Sequence, residues 1–146
     1  MLVKDIMSND VVYAESTDSV LTVAKLMKEY NIGVVPVMES NDKVLGVITD
    51  RDIVMGLADY NFDMANTYAS KLMSDKVYSV RPGADLSDAL ALMKKQQIRR
   101  LPVIEQEKLV GMISIGDIAV NSDYHMEMSE AICEISMPTN QIHQSE

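Results

Sequence analysis

The chain has no tryptophan, one phenylalanine and one cysteine in 146 residues, and it is sparing with proline (four) and glycine (six). A lone cysteine, Cys133, excludes an intramolecular disulfide and a cysteine-based metal cluster, and it fits a reducing cytoplasm, the expected location. Basic residues are also scarce, 13 Lys and Arg against 22 acids, for a net charge of −9. General affinity for nucleic acid is thereby excluded, since such binding rests on neutralising phosphates with Lys and Arg. No apolar run approaches the roughly 18 residues that a membrane span needs. Lys4 and Asp5 interrupt the start, so no signal peptide is expected.

Catalytic signatures are missing as well. "GMISIGD" (Gly111–Asp117) has two glycines at phosphate-loop spacing, but Asp117 stands where the lysine belongs, and no GxGxxG occurs. His125 and His143 are isolated and far from metal-ligand spacing, and Cys133 has no base beside it in sequence. Asp50 and Asp52 flank Arg51, which favours their ionised form and makes them poor general acids. The expectation is a protein that is not an enzyme, with no metal and no required cofactor.

What is present begins with an ordinary globular balance, 47% hydrophobic and 24% charged, in a chain long enough to bury a core. The negative charge is concentrated at the end: residues 121–146 carry Asp123, Glu127, Glu130, Glu134 and Glu146 with no Lys or Arg. Methionine is abundant, at twelve, and Met7 with Met73 and Met27 with Met93 recur at matching positions, which suits adaptable core filling.

Those matches belong to a duplication. Shifted by 66 residues, "DIMSNDVV" falls on "KLMSDKVY" and "LMKEYNIGVVPVME" on "LMKKQQIRRLPVIE"; Asp42 has no counterpart and the offset is 65 thereafter. Fifteen identities join Asp5–Ile53 to Lys71–Ile118, among them Ile32/Ile98, Pro36/Pro102, Gly46/Gly111 and Asp52/Asp117. Each copy predicts a short strand (Val11–Tyr13; Val77–Val80) and then a helix capped by Ser19 or Asp85. The helices carry apolar stripes, Val20, Val23, Ala24, Met27 and Leu86, Ala89, Leu90, Met93. Two strands follow, "VVPVM" and "VLGVIT" in one copy, "RLPVI" and "LVGMIS" in the other, with the proline suggesting an edge or a strand start. A second helix then begins near Asp50–Asp52 or Gly116–Asp117. Residues 1–58 and 71–120 are the expected repeats, 59–70 the linker, and 121–146 an acidic extension whose helix has Met128, Ala131, Ile132 and Ile135 on one stripe, frayed beyond Pro138. The fold class is α/β (α+β), two β-α-β-β-α repeats packed sheet to sheet about a pseudo-twofold axis, with a C-terminal helix.

The order "IM…V…A..LM…I..VPV…GVITDRDI", written twice, resembles a tandem pair of cystathionine-β-synthase-type (CBS) domains over roughly residues 3–120, of the free-standing bacterial kind. The resemblance implies a regulatory module that binds an adenine nucleotide of the AMP, ADP or ATP type in clefts between the repeats and forms a homodimer. Other ligands in reach are S-adenosylmethionine or an NAD-type molecule. A different class of function is a protein-interaction module, docked through the dimer and the acidic tail without need of nucleotide.

The frames Thr49-x-x-Asp52 and Ser114-x-x-Asp117 suit either of two roles. An ionised carboxylate accepts hydrogen bonds from ribose hydroxyls, and first-turn N–H groups meet polar ligand atoms. The same spacing is also a helix cap. Spacing alone leaves these equal; the resemblance selects a ligand site with capping as a second role. It implies that cleft one joins Thr49, Asp50, Arg51 and Asp52 to Val80, Ile98, Arg99 and Arg100. Cleft two joins Ser114, Gly116 and Asp117 to Tyr13, Ile32, Gly33 and Val34. Three guanidinium groups suit cleft one to phosphate, whereas cleft two has none and is expected to bind a nucleoside-like ligand weakly or stay empty. The plainer reading of "KKQQIRR" (Lys94–Arg100) is a solvated helix end beside a salt-bridged strand edge.

Overall fold

The structure is a computed structural model that describes residues 1–59, 61–121 and 125–138, with only the backbone for 125 and 126. The frayed end expected beyond Pro138, together with Asp123, His143 and Glu146, lies outside the described residues. Along the chain run α1 (Val3–Ile6), β1 (Ala14–Glu15), α2 (Val20–Tyr30), β2 (Val34–Met38), β3 (Val44–Thr49), α3 (Asp50–Leu57), α4 (Ala69–Leu72), α5 (Leu86–Gln96), β4 (Arg100–Glu105), β5 (Lys108–Ser114), α6 (Ile115–Asn121) and α7 (His125–Ile135). The mixed α+β class expected from the sequence is what these elements form, in two sheets with helices.

Two compact units emerge, and neither is a contiguous half of the chain. The first comprises Met1–Asn9, Tyr78–Ile104 and Val110–Glu146; the second comprises Asp10–Val77 and Glu105–Leu109. The opening segment of each repeat therefore lies in the unit built mainly from the other repeat.

In the second unit, β1 runs parallel to β2 and β2 antiparallel to β3, with a bulge at Val37/Met38. Beyond β3, Val47 and Ser74 exchange backbone hydrogen bonds of 3.0 and 2.9 Å. Helix α2 is capped by the Ser19 side chain accepting from Thr22 N at 3.1 Å, and it ends on Asn31 in the left-handed region. Its stripe of Val20, Val23 and Met27 packs on Val35, Val37 and Ile48, with Ile53 of α3 and Ala69 of α4 closing the core. Between α3 and α4 the chain turns on Asp63, whose carboxylate accepts from Ala65 N and Asn66 Nδ2. Those bonds, that from Asn66 first, hold the Asp63 carboxyl below its ordinary range.

The first unit repeats the plan. Helix α5 is capped by Asp85 and ends on Gln97, again left-handed. The β4–β5 hairpin is flanked by a parallel bridge from Val80 to Val103 and by Ser8 against Met112. Val3 is fully buried here among Leu86, Met93, Leu101 and Ile113, and α7 contributes Met128 and Ala131 to the same core. Ile135 is partly buried against it and Ile132 is 50% exposed, so the α7 stripe is only half used for packing.

Of the two prolines, Pro102 lies on an edge strand as expected, in the two-stranded β4–β5 sheet, while Pro36 departs from the expected edge or strand start. Pro36 lies in the middle strand of its sheet, because β2 pairs on both sides. Pro102 shows how this is tolerated: its carbonyl accepts from Val80 N at 3.1 Å, and the next bond on that side comes from Ile104 N. The missing donor thus faces a neighbour that touches β4 at a single bridge, where no ladder bond is lost.

The turn between β4 and β5 places Gln106 and Glu107 at φ of 51° and 66°, the pattern of a tight hairpin that favours Asn-Gly. Replacing the pair by Asn-Gly is expected to add about 1 kcal/mol of stability, the relief of left-handed strain exceeding the added chain entropy of glycine. A urea midpoint that does not rise would refute that assignment of strain.

Candidate functional site

The strand-end frames are reciprocal caps. Asp52 N donates to Thr49 Oγ1 at 3.1 Å while Thr49 N donates to Asp52 Oδ2 at 2.8 Å. In the other repeat Asp117 N donates to Ser114 Oγ at 3.1 Å and Ser114 N to Asp117 Oδ2 at 2.9 Å. Each cap occupies one carboxylate oxygen; among the described residues no bond is made to Oδ1 of Asp52 or Asp117. Both aspartates are partly exposed, so the second oxygen is open to solvent or a solute.

A second joint is duplicated beside each cap. Asp50 N donates to Gly33 O and Ile115 N to Arg99 O, both at 2.9 Å. The start of α3 is thereby tied to the loop before β2, and the start of α6 to the loop before β4. The two joints differ in filling. A Cβ at Gly33 would sit 3.1 Å from Asp50 Oδ2, so in the second unit the carboxylate takes the space a side chain would need. In the first unit that pair is replaced by Arg99 and Ile115, which line a hollow beneath α7.

The basic run, for which the sequence left two readings open, divides between paired and unpaired cations. Among the described residues the ion pair present is Lys94 Nζ to Glu130 Oε2 at 3.5 Å, and none forms at Arg51, Arg99 or Arg100, all exposed. The plainer reading of that run has the helix end solvated and the strand edge salt-bridged; the structure pairs Lys94 on the helix end and, among the described residues, leaves Arg99 and Arg100 at the strand edge without an ion pair.

Each expected cleft draws on both units. Thr49, Asp50, Arg51 and Asp52 lie in the second unit, with Val80, Ile98, Arg99 and Arg100 in the first. Ser114, Gly116 and Asp117 lie in the first, with Tyr13, Ile32, Gly33 and Val34 in the second. Within one unit the structure brings Thr49–Asp52 to Gly33, and Ser114–Asp117 to Arg99. Tyr13 is 45% exposed; Val80 is buried in the core. Sequence reading did not find the Gly33–Asp50 contact or the hollow at Arg99 and Ile115. The available signal was that both members of the joint change together between repeats, in the copy followed by an extra helix.

Against known proteins, residues 3–59 and 69–122 each match the profile described as CBS domain. The chain belongs to the CBS domain family. The CBS domain-containing protein YhcV of Bacillus subtilis (strain 168) is 37% identical over 134 residues, covering 92% of this chain and 94% of that protein. Two solved structures similar to this chain hold adenosine-type ligands. The CBS domain pair of protein MJ0100, in complex with 5′-methylthioadenosine and S-adenosyl-L-methionine, has a TM-score of 0.72 at 27% identity, covering 82% of this chain and 94% of that one. CBSX2 in complex with AMP has a TM-score of 0.72 at 25% identity, covering 82% and 93%.

Proposed function

We propose that the chain is a regulatory module that binds an adenosine nucleotide with residues drawn from both CBS repeats. The observation that carries this reading is the Asp52 carboxylate, which spends Oδ2 on its cap and leaves Oδ1 without a partner among the described residues. Ribose hydroxyls are donors that such an oxygen accepts strongly. Arg51 and Arg100, unpaired with any described carboxylate, supply the charge that phosphate requires. The adenosine-type ligands of MJ0100 and CBSX2 support the same choice. The second set, Ser114, Gly116 and Asp117 with Tyr13, Ile32, Gly33 and Val34, has no guanidinium and takes a nucleoside or nothing. We include a homodimer, because Val54, Met55 and Leu57 on α3 and Val120 on α6 leave large apolar side chains exposed; a monomeric mass by light scattering would remove that part.

The test is calorimetric titration with AMP, ADP, ATP, NADH and S-adenosylmethionine. Asp52→Asn keeps an oxygen for the cap and removes the charge, so it separates the two roles. It is expected to leave the melting temperature within a few degrees while weakening the preferred ligand by about 1.5–3 kcal/mol, and Arg100→Ala is expected to weaken a phosphorylated ligand by a similar amount. Equal affinity in both variants would sink the residue assignments. No binding by the wild type would sink the function.

A further inference from the structure

We propose that the hollow beneath α7 is a second ligand site, for a small organic acid: an alkyl carboxylate whose charge meets Arg99 and whose chain lies on Ile115, Ile132 and Ile135. The cavity measures about 300 Å³, the lower end of the range for small-molecule sites. Its lining is Arg99, Ile115, Ile132, Ile135 and Ser136, all in the first unit. Three isoleucines at one cation call for an amphipathic occupant, because a fully hydrated ion gains nothing from the isoleucine walls. A single guanidinium suits a planar monoanion, which it grips with two parallel N–H donors, better than a dianion that needs several cations.

The competing explanation is that Arg99 merely neutralises the carbonyl end of α7. The structure gives Arg99 no part in it: a carbonyl of the last turn is satisfied by an amide instead. Gln97 Nε2 donates to Glu134 O at 2.9 Å and Lys94 pairs with Glu130, anchoring α7 from α5 without Arg99. No bond from Arg99 to an α7 carbonyl or a carboxylate is present among the described residues. The half-exposed Ile132 is likewise unexplained by packing, since α7 is held in the core by Met128 and Ala131.

The probe is octanoate, titrated into the full chain, with 1-octanol as the uncharged control. Saturable octanoate binding at least tenfold tighter than octanol is the expected result. Arg99→Met keeps the stem and removes the charge, and is expected to bring octanoate down to the octanol level. Ile132→Trp fills the hollow from a half-exposed position, and is expected to abolish octanoate binding while leaving nucleotide affinity unchanged. Asp52→Asn is expected to leave octanoate binding intact, so failure of the nucleotide proposal and failure of this one are separately readable. Equal affinity for octanoate and octanol, indifference to either hollow variant, or no saturable binding would each overturn it.

Discussion

Gly46→Ala is expected to cost about 3–5 kcal/mol, a large share of the roughly 5–15 kcal/mol that holds a domain of this kind together. The reason is a close approach of backbones. A Cβ added at Gly46 would overlap the Ser74 carbonyl oxygen and lie 2.9 Å from Met73 Sδ and 3.1 Å from Met73 Cγ. A methionine side chain can swing away, but the carbonyl cannot. It accepts the bond from Val47 N, and Ser74 N donates back to Val47 O. Relieving the overlap means opening that pair of bonds on the edge of β3. Gly111 meets the same arrangement, with Ser8 O and Met7 Sδ each 2.8 Å from the added Cβ, and the same loss is expected there. Gly83 has nothing within 4 Å and no positive φ, so Gly83→Ala is expected to be neutral or to stabilise by up to about 1 kcal/mol. Urea unfolding of the three variants decides the matter, and a Gly46→Ala midpoint matching that of Gly83→Ala would show that the strands do not need the approach.

These glycines mark the limit of what the sequence discloses. Their duplication was visible, as was that of Met7 and Met73; that the methionines lie over the glycines was not, because the contact joins residues 27 positions apart at Gly46 and 104 apart at Gly111. Local signals were dependable. Ser19 and Asp85 cap α2 and α5, and the hydroxyl-x-x-Asp frames begin α3 and α6, because capping is settled within one turn of chain. Helices α1 and α4 went unread, being four residues each and too short for an apolar period to show. Pro36 misled because an edge or a strand start was inferred from a missing donor, whereas the actual device is the shortness of the strand beside it. At the candidate site the caps were legible but the state of the arginines was not. Whether a basic run is paired depends on where carboxylates from distant segments fall, and here Glu130 reached Lys94 while no described carboxylate reached Arg99.

The exchange of opening segments gives the second large effect, and its location is the decisive part. Val3→Asp is expected to lower stability by about 3–5 kcal/mol, the cost of an unpaired charge at a fully buried position. The damage should appear in the repeat that does not contain the substitution. Val3 is packed in the cluster of Leu86, Met93, Leu101 and Ile113, and α1 is tied by Val3 N to Ala84 O and Lys4 N to Pro82 O, both 2.9 Å. Amide exchange under native conditions should therefore quicken across α5, β4, β5 and α6, with α2, β2 and β3 less affected, since separately packed units open at different free energies. Ala69→Asp supplies the reciprocal case. Ala69, also fully buried, belongs to the cluster of Val20, Val35 and Ile48 although it opens the second repeat, so its substitution should loosen α2, β2 and β3. If either protein proves too unstable to isolate, Val3→Ala and Ala69→Ser give the same crossed map at smaller amplitude. Exchange that quickens in the substituted repeat itself would mean that each opening segment packs at home. In that case a chain cut in the linker should yield two independent halves, whereas the crossed result means that separating the repeats removes a core residue and a strand partner from both.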